Sequence, residues 1–252
     1  MSGIANRTVA PLPSVPCQDA GAPTARTSDP LVRVIDARKT YPLGHRSVEA
    51  LRGVTLEIPQ RAFVVMQGPS GSGKTTLLNL IGCIDHPTSG TILVAGQDVS
   101  VLPDAGLSRF RATRLGFIFQ DFNLIPVLSA VENIEYPLLL RRVPKAQASE
   151  RAHAMIAAVG LDGAGDQRPG ELSGGQCQRV AIARALVGNP ELVIADEPTA
   201  NLDVSTGQAI IDLMHRMRDL TGATFVISTH DPVIAALAEQ RFTLRDGKLV
   251  NP

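Results

Sequence analysis

The sequence has no tryptophan, two tyrosines, three cysteines and, among 24 basic residues, only four lysines. Each scarcity excludes something. Cys17, Cys83 and Cys177 stand far apart, with no CxxC pair and no Cys/His cluster, so neither a zinc site nor a disulfide framework is expected, and a reducing compartment is. Twenty-four acidic side chains balance the 24 basic ones to a net charge of zero. That balance argues against a chain whose main business is wrapping nucleic acid. The excess of arginine over lysine fits genomic base composition. No run approaches the roughly 18–20 consecutive apolar residues that cross a bilayer, and no apolar core follows a charged start, so no secretory signal is expected. Work at a membrane then requires a partner. What is present is apolar bulk: 44% of 252 residues are hydrophobic. General disorder is excluded, and one large domain, or a domain with a small lobe, is expected.

Residues 1–30 hold five of the 18 prolines (Pro11, Pro13, Pro16, Pro23, Pro30) and show neither period two nor period 3.6. A flexible extension is expected there. Order is expected over 31–250. Residues 31–37, 54–58 and 63–67 read as strands, the last running into a glycine-rich turn and a helix over 74–82. Residues 91–94 form a further strand. From about 104 to 172 helical patterns dominate, mainly over 129–142 and 145–159, punctuated by Pro126, Pro137 and Pro144. This predicts a helical lobe inserted in an α/β core. A helix over 173–187, a strand over 192–195, a helix over 205–220, a strand over 223–228 and a hairpin turning at Asp246-Gly247 complete the pattern. Strands alternating with helices predict a largely parallel sheet with phosphate chemistry at the strand C-termini.

Gly68-Pro69-Ser70-Gly71-Ser72-Gly73-Lys74-Thr75-Thr76 matches the phosphate-loop pattern and has the required apolar strand before it and helix after it. Its glycines let successive N–H groups curl toward phosphate oxygens, and the helix adds its positive end. Lys74 supplies a point charge, and the Thr75 hydroxyl is a hard oxygen ligand for Mg²⁺. Leu192-Val193-Ile194-Ala195-Asp196-Glu197 delivers two carboxylates at the end of a buried strand. Asp196 is placed to hold the Mg²⁺ hydration shell opposite Thr75. Glu197, pointing the other way on the strand, is free to polarise water. Ser173-Gly174-Gly175-Gln176, opening a long helix, makes a second nest of N–H groups. One nucleotide does not need two cradles in one chain, so the second would serve a nucleotide on another copy. Ser173 as a plain N-cap, with glycines for the turn, fits equally.

Taken in order and spacing, Gly68–Thr75, Gln120, Leu172–Gln176, Leu192–Glu197, Asp203 and His230 resemble an ABC-type ATPase subunit over about 31–250. The flanks around Gly68, Gln120 and Asp196 are similar to the lipoprotein-releasing and macrolide-export branch; peptide-resistance and cell-division ATPases look alike. The resemblance implies an α/β fold: a P-loop NTPase core with a mostly parallel sheet, an antiparallel β subdomain and an inserted helical lobe. It also implies ATP and Mg²⁺, and a head-to-tail homodimer that hydrolyses ATP to drive a separate integral membrane permease from the inner face of the membrane. No basic tract suggests nucleic acid, and none is expected. Tyr41 stands where the family stacks a ring on adenine, and otherwise is a half-buried loop tyrosine. Gln120 touches metal and attacking water while joining core to lobe, or is an ordinary polar residue at a strand end. Asp203 crosses the dimer interface or caps the helix after it. His230 holds the γ-phosphate and water with Glu197. The apolar stretch 121–128 is expected to form part of a groove for a short helix of the permease.

Two departures stand out. Arg61 and Ala62 occupy a turn where the family has glycine and an acidic residue, and Cys177 follows the second cradle where a glutamine or charge is commoner. The rival class is an ABC-type ATPase outside transport, or a nucleotide-gated regulatory module. Only about a hundred residues, without heptads, separate the two cradles, which speaks against the coiled-coil chromosome-organising relatives.

Overall fold

The computed structural model of the chain describes residues 29–44 and 46–251; Cys17 and most of the expected 1–30 extension lie outside the described residues. Two sheets frame the fold. The smaller, in order β2-β1-β4-β5, is antiparallel and consists of β1 (Val32–Leu43), β2 (Arg46–Ile58), β4 (Ser89–Val94) and β5 (Gln97–Asp98). The larger has the order β10-β9-β3-β8-β7-β6. Its strands β3 (Phe63–Gln67), β6 (Leu115–Ile118), β7 (Leu192–Asp196), β8 (Thr224–Thr229) and β9 (Gln240–Arg245) run parallel. Only β10 (Lys248–Asn251) turns back against β9.

The central parallel strands β3, β7 and β8 read as near-continuous apolar runs because both faces of their sheet are covered. Their period-two alternation feeds two separate cores. Phe63, Val65, Val193, Ala195, Phe225 and Ile227 pack with α3 (Ala130–Leu140), α4 (Lys145–Ala158), α5 (Gly174–Leu186) and α6 (Val204–Thr221). Val64, Met66, Leu192, Ile194 and Val226 face the other way, toward α1 (Lys74–Ile81), α2 (Asp104–Arg114) and the antiparallel sheet. A last short helix, α7 (Pro232–Ala236), follows β8. The helices start where their sequence says. Ser129 and Glu132 form a capping box on α3, and Asp203 caps α6, which ends at Gly222 in the left-handed region.

Two expectations are corrected. The lobe does not begin near 104. Helix α2 buries Leu107 and Phe110 in the core between the sheets, and β6 pairs with β7 as the edge of the large sheet. The helical insertion starts only after Ile118. Four residues are too few to announce a sheet strand inside a helical stretch. Strand β2 also begins at Arg46, not near 54, because its first four residues are exposed on both faces and carry no alternation.

The family's glycine position before β3 has a conformational reason. Arg61 sits at φ +59°, where side chains are disfavoured, and its N–H is tied to the Thr224 hydroxyl at 2.7 Å. Left-handed backbone costs an ordinary residue about 1–2 kcal/mol, partly offset by the greater chain entropy that glycine loses. Arg61→Gly is therefore expected to raise unfolding stability by about 0.5–1 kcal/mol. Denaturant titration checks this, and a loss of stability would mean that the arginine side chain outweighs the backbone.

Candidate functional site

The C-terminal ends of β3, β6, β7 and β8 open onto one cleft of about 850 Å³. Ser70, Gly71, Gly73, Lys74, Thr75, Thr76, Gln120, Asp196, Glu197 and His230 all line it. Residues from four distant segments thus meet where a parallel sheet places ligands. Two glycines are fixed by close approach. A Cβ at Gly68 would lie 2.2 Å from the Leu244 carbonyl oxygen, and one at Gly73 (φ +105°) 2.7 Å from that of Ala50. Gly73 is also the N-cap of α1. No side chain caps that end and no acidic residue lies in its first turn, so its amide N–H groups stay available to an anion. Lys74 lies back over the loop, donating from Nζ to the carbonyls of Gly68 (2.8 Å) and Pro69 (3.1 Å).

Thr75 and Asp196 meet as the sequence suggests: the Thr75 hydroxyl donates to Asp196 Oδ2 at 3.2 Å. A hydroxyl and a carboxylate are the hard oxygens that Mg²⁺ accepts, with phosphate and water supplying the rest. Among the described residues there is no group of three His, Cys, Asp or Glu that could hold a metal unaided. Gln120 stands two residues beyond β6. Its carbonyl accepts from Asn201 Nδ2 at 3.3 Å, and that same amide donates to Asp121 Oδ1 at 2.9 Å.

Glu197 does not point away as a strand residue. Strand β7 stops at Asp196, and Glu197 turns into the left-handed region at φ +48°. Ser228 forces the turn: its hydroxyl oxygen and carbonyl accept from the Glu197 N–H at 3.0 and 3.2 Å, while its O–H donates to Asp196 Oδ1. The turn brings Glu197 Oε2 to 2.9 Å from His230 Nδ1. Sequence reading missed Ser228. Its signal was its place opposite Asp196 in the β7–β8 register. The expected Asp246-Gly247 turn has a role the sequence did not show: it lines the cleft and buttresses the phosphate loop, the Gly247 N–H donating to the Ser72 carbonyl at 3.0 Å.

Tyr41 lies in β1 beside the cleft, paired with Val48, which lines it; the Tyr41 ring itself does not. Its hydroxyl donates to Asp85 Oδ2 at 2.9 Å, and Lys39 Nζ sits 4.9 Å from the ring centroid. Burial and then Asp85 raise the Tyr41 phenol. Burial alone would raise the Asp85 carboxyl, but hydrogen bonds from Lys39 and Tyr41 outweigh it and hold that carboxyl below the usual range.

Ser173, Gly174, Gly175, Gln176 and Asp203 do not line this cleft. They gather at a second place, where the start of α5 packs on the start of α6. A Cβ at Gly175 would lie 2.7 Å from Thr206 Cγ2, and one at Gly174 3.3 Å from Leu202 Cδ2. The capping alternatives both hold: Ser173 and Gln176 form a capping box, and Asp203 Oδ1 accepts from the Thr206 N–H at 3.0 Å. Hydrogen bonds from Ser205 and Thr206 keep the Asp203 carboxyl well below the usual range. Cys177 is buried, and burial raises its thiol, so it fits an inert side chain.

The family profile described as ABC transporter matches residues 51–200. The chain belongs to the ABC transporter family. Within it, this is an ATP-binding subunit. It is 43% identical over 219 residues to an uncharacterized ABC transporter ATP-binding protein of Thermotoga maritima, covering 87% of this chain and 93% of that one. It is 43% identical over 224 residues to the macrolide export ATP-binding/permease protein MacB of Escherichia coli K12, covering 88% of this chain. The match spans only 34% of MacB, about a third of its length. Among solved structures, it superposes on the dimeric post-hydrolysis state of the ATP-binding cassette MJ0796 bound to ADP and Pi. There the TM-score is 0.80 and the identity 40%, over 87% of this chain and 97% of that one. No helix among the described residues is long and apolar enough to cross a membrane.

Proposed function

We propose that two copies of this ABC subunit pair head to tail and hydrolyse ATP to drive a separate membrane-embedded permease from the cytoplasmic face. The observation that carries this reading is the placement of Ser173–Gln176 and Asp203: a second phosphate-type cradle that is absent from the chain's own cleft. Pairing two chains brings each cradle to the other's nucleotide. The dimeric cassette among the solved relatives supports it.

Lys74, the loop amides and the N-terminus of α1 would grip the phosphates. Thr75, Asp196 and Gln120 would hold Mg²⁺, which supplies neutralisation of charge on the β- and γ-phosphates. Glu197 then takes the proton of an attacking water, and His230, already at hydrogen-bond distance from it, keeps the carboxylate aimed while facing the γ-phosphate. Tyr41 offers its ring to the base across the cleft mouth.

The permease would engage a groove of about 380 Å³ along the free edge of β6, between Phe117, Phe119, Pro137 and Leu140. This shifts the sequence expectation. Of residues 121–128 only Asn123 lines the groove, and Leu124 packs into the core beneath. MacB relatives carry ATP-binding and permease parts under one name, which supports a permease as the partner. The test is phosphate release by the purified chain with and without the membrane protein that co-purifies with it from detergent. Stimulated release is expected. Leu140→Asp, at a 67% exposed position, should cut the stimulation about tenfold, a loss of ~1.4 kcal/mol of docking, with the isolated chain's own rate within about twofold. Nucleotide-dependent association without steady turnover would instead identify a nucleotide-gated regulatory module.

A further inference from the structure

Gln178 lies in the second turn of α5 and is 0% exposed. Its Nε2 donates to the Pro198 carbonyl at 2.6 Å. Its Oε1 is buried and has no hydrogen-bond partner. A buried amide oxygen without a donor is costly, and native interiors hold few of them. An unbranched apolar side chain of the same length would remove that cost but leave the Pro198 carbonyl without its donor, one orphaned acceptor exchanged for another. Stability alone therefore does not account for a glutamine here; the bond to Pro198 does.

Pro198 follows Glu197 directly. The stretch behind it is closed by tight turns: the Ala200 N–H donates to the Glu197 carbonyl at 3.2 Å and the Leu202 N–H to the Thr199 carbonyl at 3.1 Å. Proline has no N–H of its own, so its carbonyl is the handle by which the chain can be held at this point. At the N-terminal tip of the same helix, about 7.5 Å along the axis at 1.5 Å per residue, stands Ser173. One rigid helix thus carries the cradle turn at its tip and grips the residue beside Glu197 with its second turn.

We propose that Gln178 is a positioning residue for hydrolysis: by holding Pro198 it fixes Glu197 in line with its own chain's nucleotide, and it ties that carboxylate to the cradle that the same chain offers to its partner. This rests on the two-chain pocket proposed above. Engagement of the cradle on a partner's nucleotide moves α5 as a body, and the Gln178–Pro198 bond carries that movement to Glu197. The two pockets are then linked within each chain through one hydrogen bond.

Gln178→Met keeps the length and removes the amide; Gln178→Leu removes the amide with a shorter side chain. Both are expected to lower kcat about tenfold, with KM for ATP within about twofold. The melting temperature of Gln178→Met should change little, because the orphaned Oε1 it removes is exchanged for an orphaned Pro198 carbonyl. A fall in kcat only in step with lost stability, or no fall in kcat for either variant, overturns the proposal. Should Gln178→Met fail to fold, Gln178→Leu carries the same test.

Mixed dimers locate the effect. A Lys74→Ala chain paired with a Ser173→Arg chain has one competent pocket, built on the phosphate loop of the Ser173→Arg chain. Adding Gln178→Met to that chain should slow turnover about tenfold, and adding it to the Lys74→Ala chain should slow it about twofold or less. Equal effects in both arrangements, or a larger one in the Lys74→Ala chain, place the action of Gln178 on the cradle and overturn the assignment to Glu197. If the parent mixture shows no activity at all, the two-chain pocket itself fails, which is a separate outcome.

Discussion

Glu197→Gln is expected to keep ATP bound and to lower turnover by about 10²–10⁴-fold, the range that a positioned general base contributes. The separation of binding from chemistry follows from geometry. In the proposed site, phosphate affinity rests on Lys74, the loop amides and the end of α1, none of which bonds to the Glu197 side chain. The substitution is close to isosteric, and the backbone at Glu197 is set by Ser228 through its own N–H, which the variant keeps. The His230 contact at 2.9 Å survives with an amide oxygen as acceptor. What is lost is a group able to take a proton from water. Equilibrium binding of a fluorescent ATP analogue, with phosphate release measured in parallel, reads both quantities. Turnover at the parental rate would move the general base elsewhere, with Asp196 and His230 the next groups in the cleft.

A mixture of inactive variants should regain activity. Lys74→Ala removes the only lysine lining the cleft, and Ser173→Arg puts a bulky charge at the tip of α5. Each alone is expected to fall at least about a hundredfold, the scale of losing a main charge-stabilising contact in phosphoryl transfer. Mixed in equal amounts, the two chains form half their dimers as hybrids, each with one intact pocket of two. Turnover per chain should therefore return to about a quarter of the parent's if the interface is two-fold symmetric. The loss of the Ser173 cap costs only about 1 kcal/mol and leaves the fold in place. Phosphate release across a titration of one variant into the other should peak near equal amounts. A flat, inactive titration from two folded variants means that the pocket is complete within one chain.

Most of what lies close together in the sequence was legible there. The phosphate loop combines a strand, a run of glycines and a helix within a dozen residues, and the dihedral demands of Gly68 and Gly73 are written in the residue type. The helices were legible because three- and four-residue spacing, as in Ile210, Ile211, Met214 and Met217 of α6, repeats over several turns. Capping residues marked their starts at Ser129, Ser173 and Asp203. The sheet strand β6 and the early part of β2 were harder to place. The first is only four residues long, and the second starts on exposed residues with no periodic pattern.

Sequence by itself determined the candidates for phosphate, Mg²⁺ and water: Lys74, Thr75, Asp196 and Glu197 from the motifs, Gln120 and His230 from the family resemblance, each near the end of a strand or the start of a helix that its neighbours specify. Tertiary structure alone decided how they face one another. It turned Glu197 off its strand through Ser228, braced the phosphate loop with the Asp246-Gly247 turn, and set Ser173–Gln176 apart from its own chain's cleft. The physical reason is range. Backbone preference and periodicity act over a few residues, whereas strand register and the docking of α5 on α6 join groups far apart in the chain, and no local pattern encodes that distance.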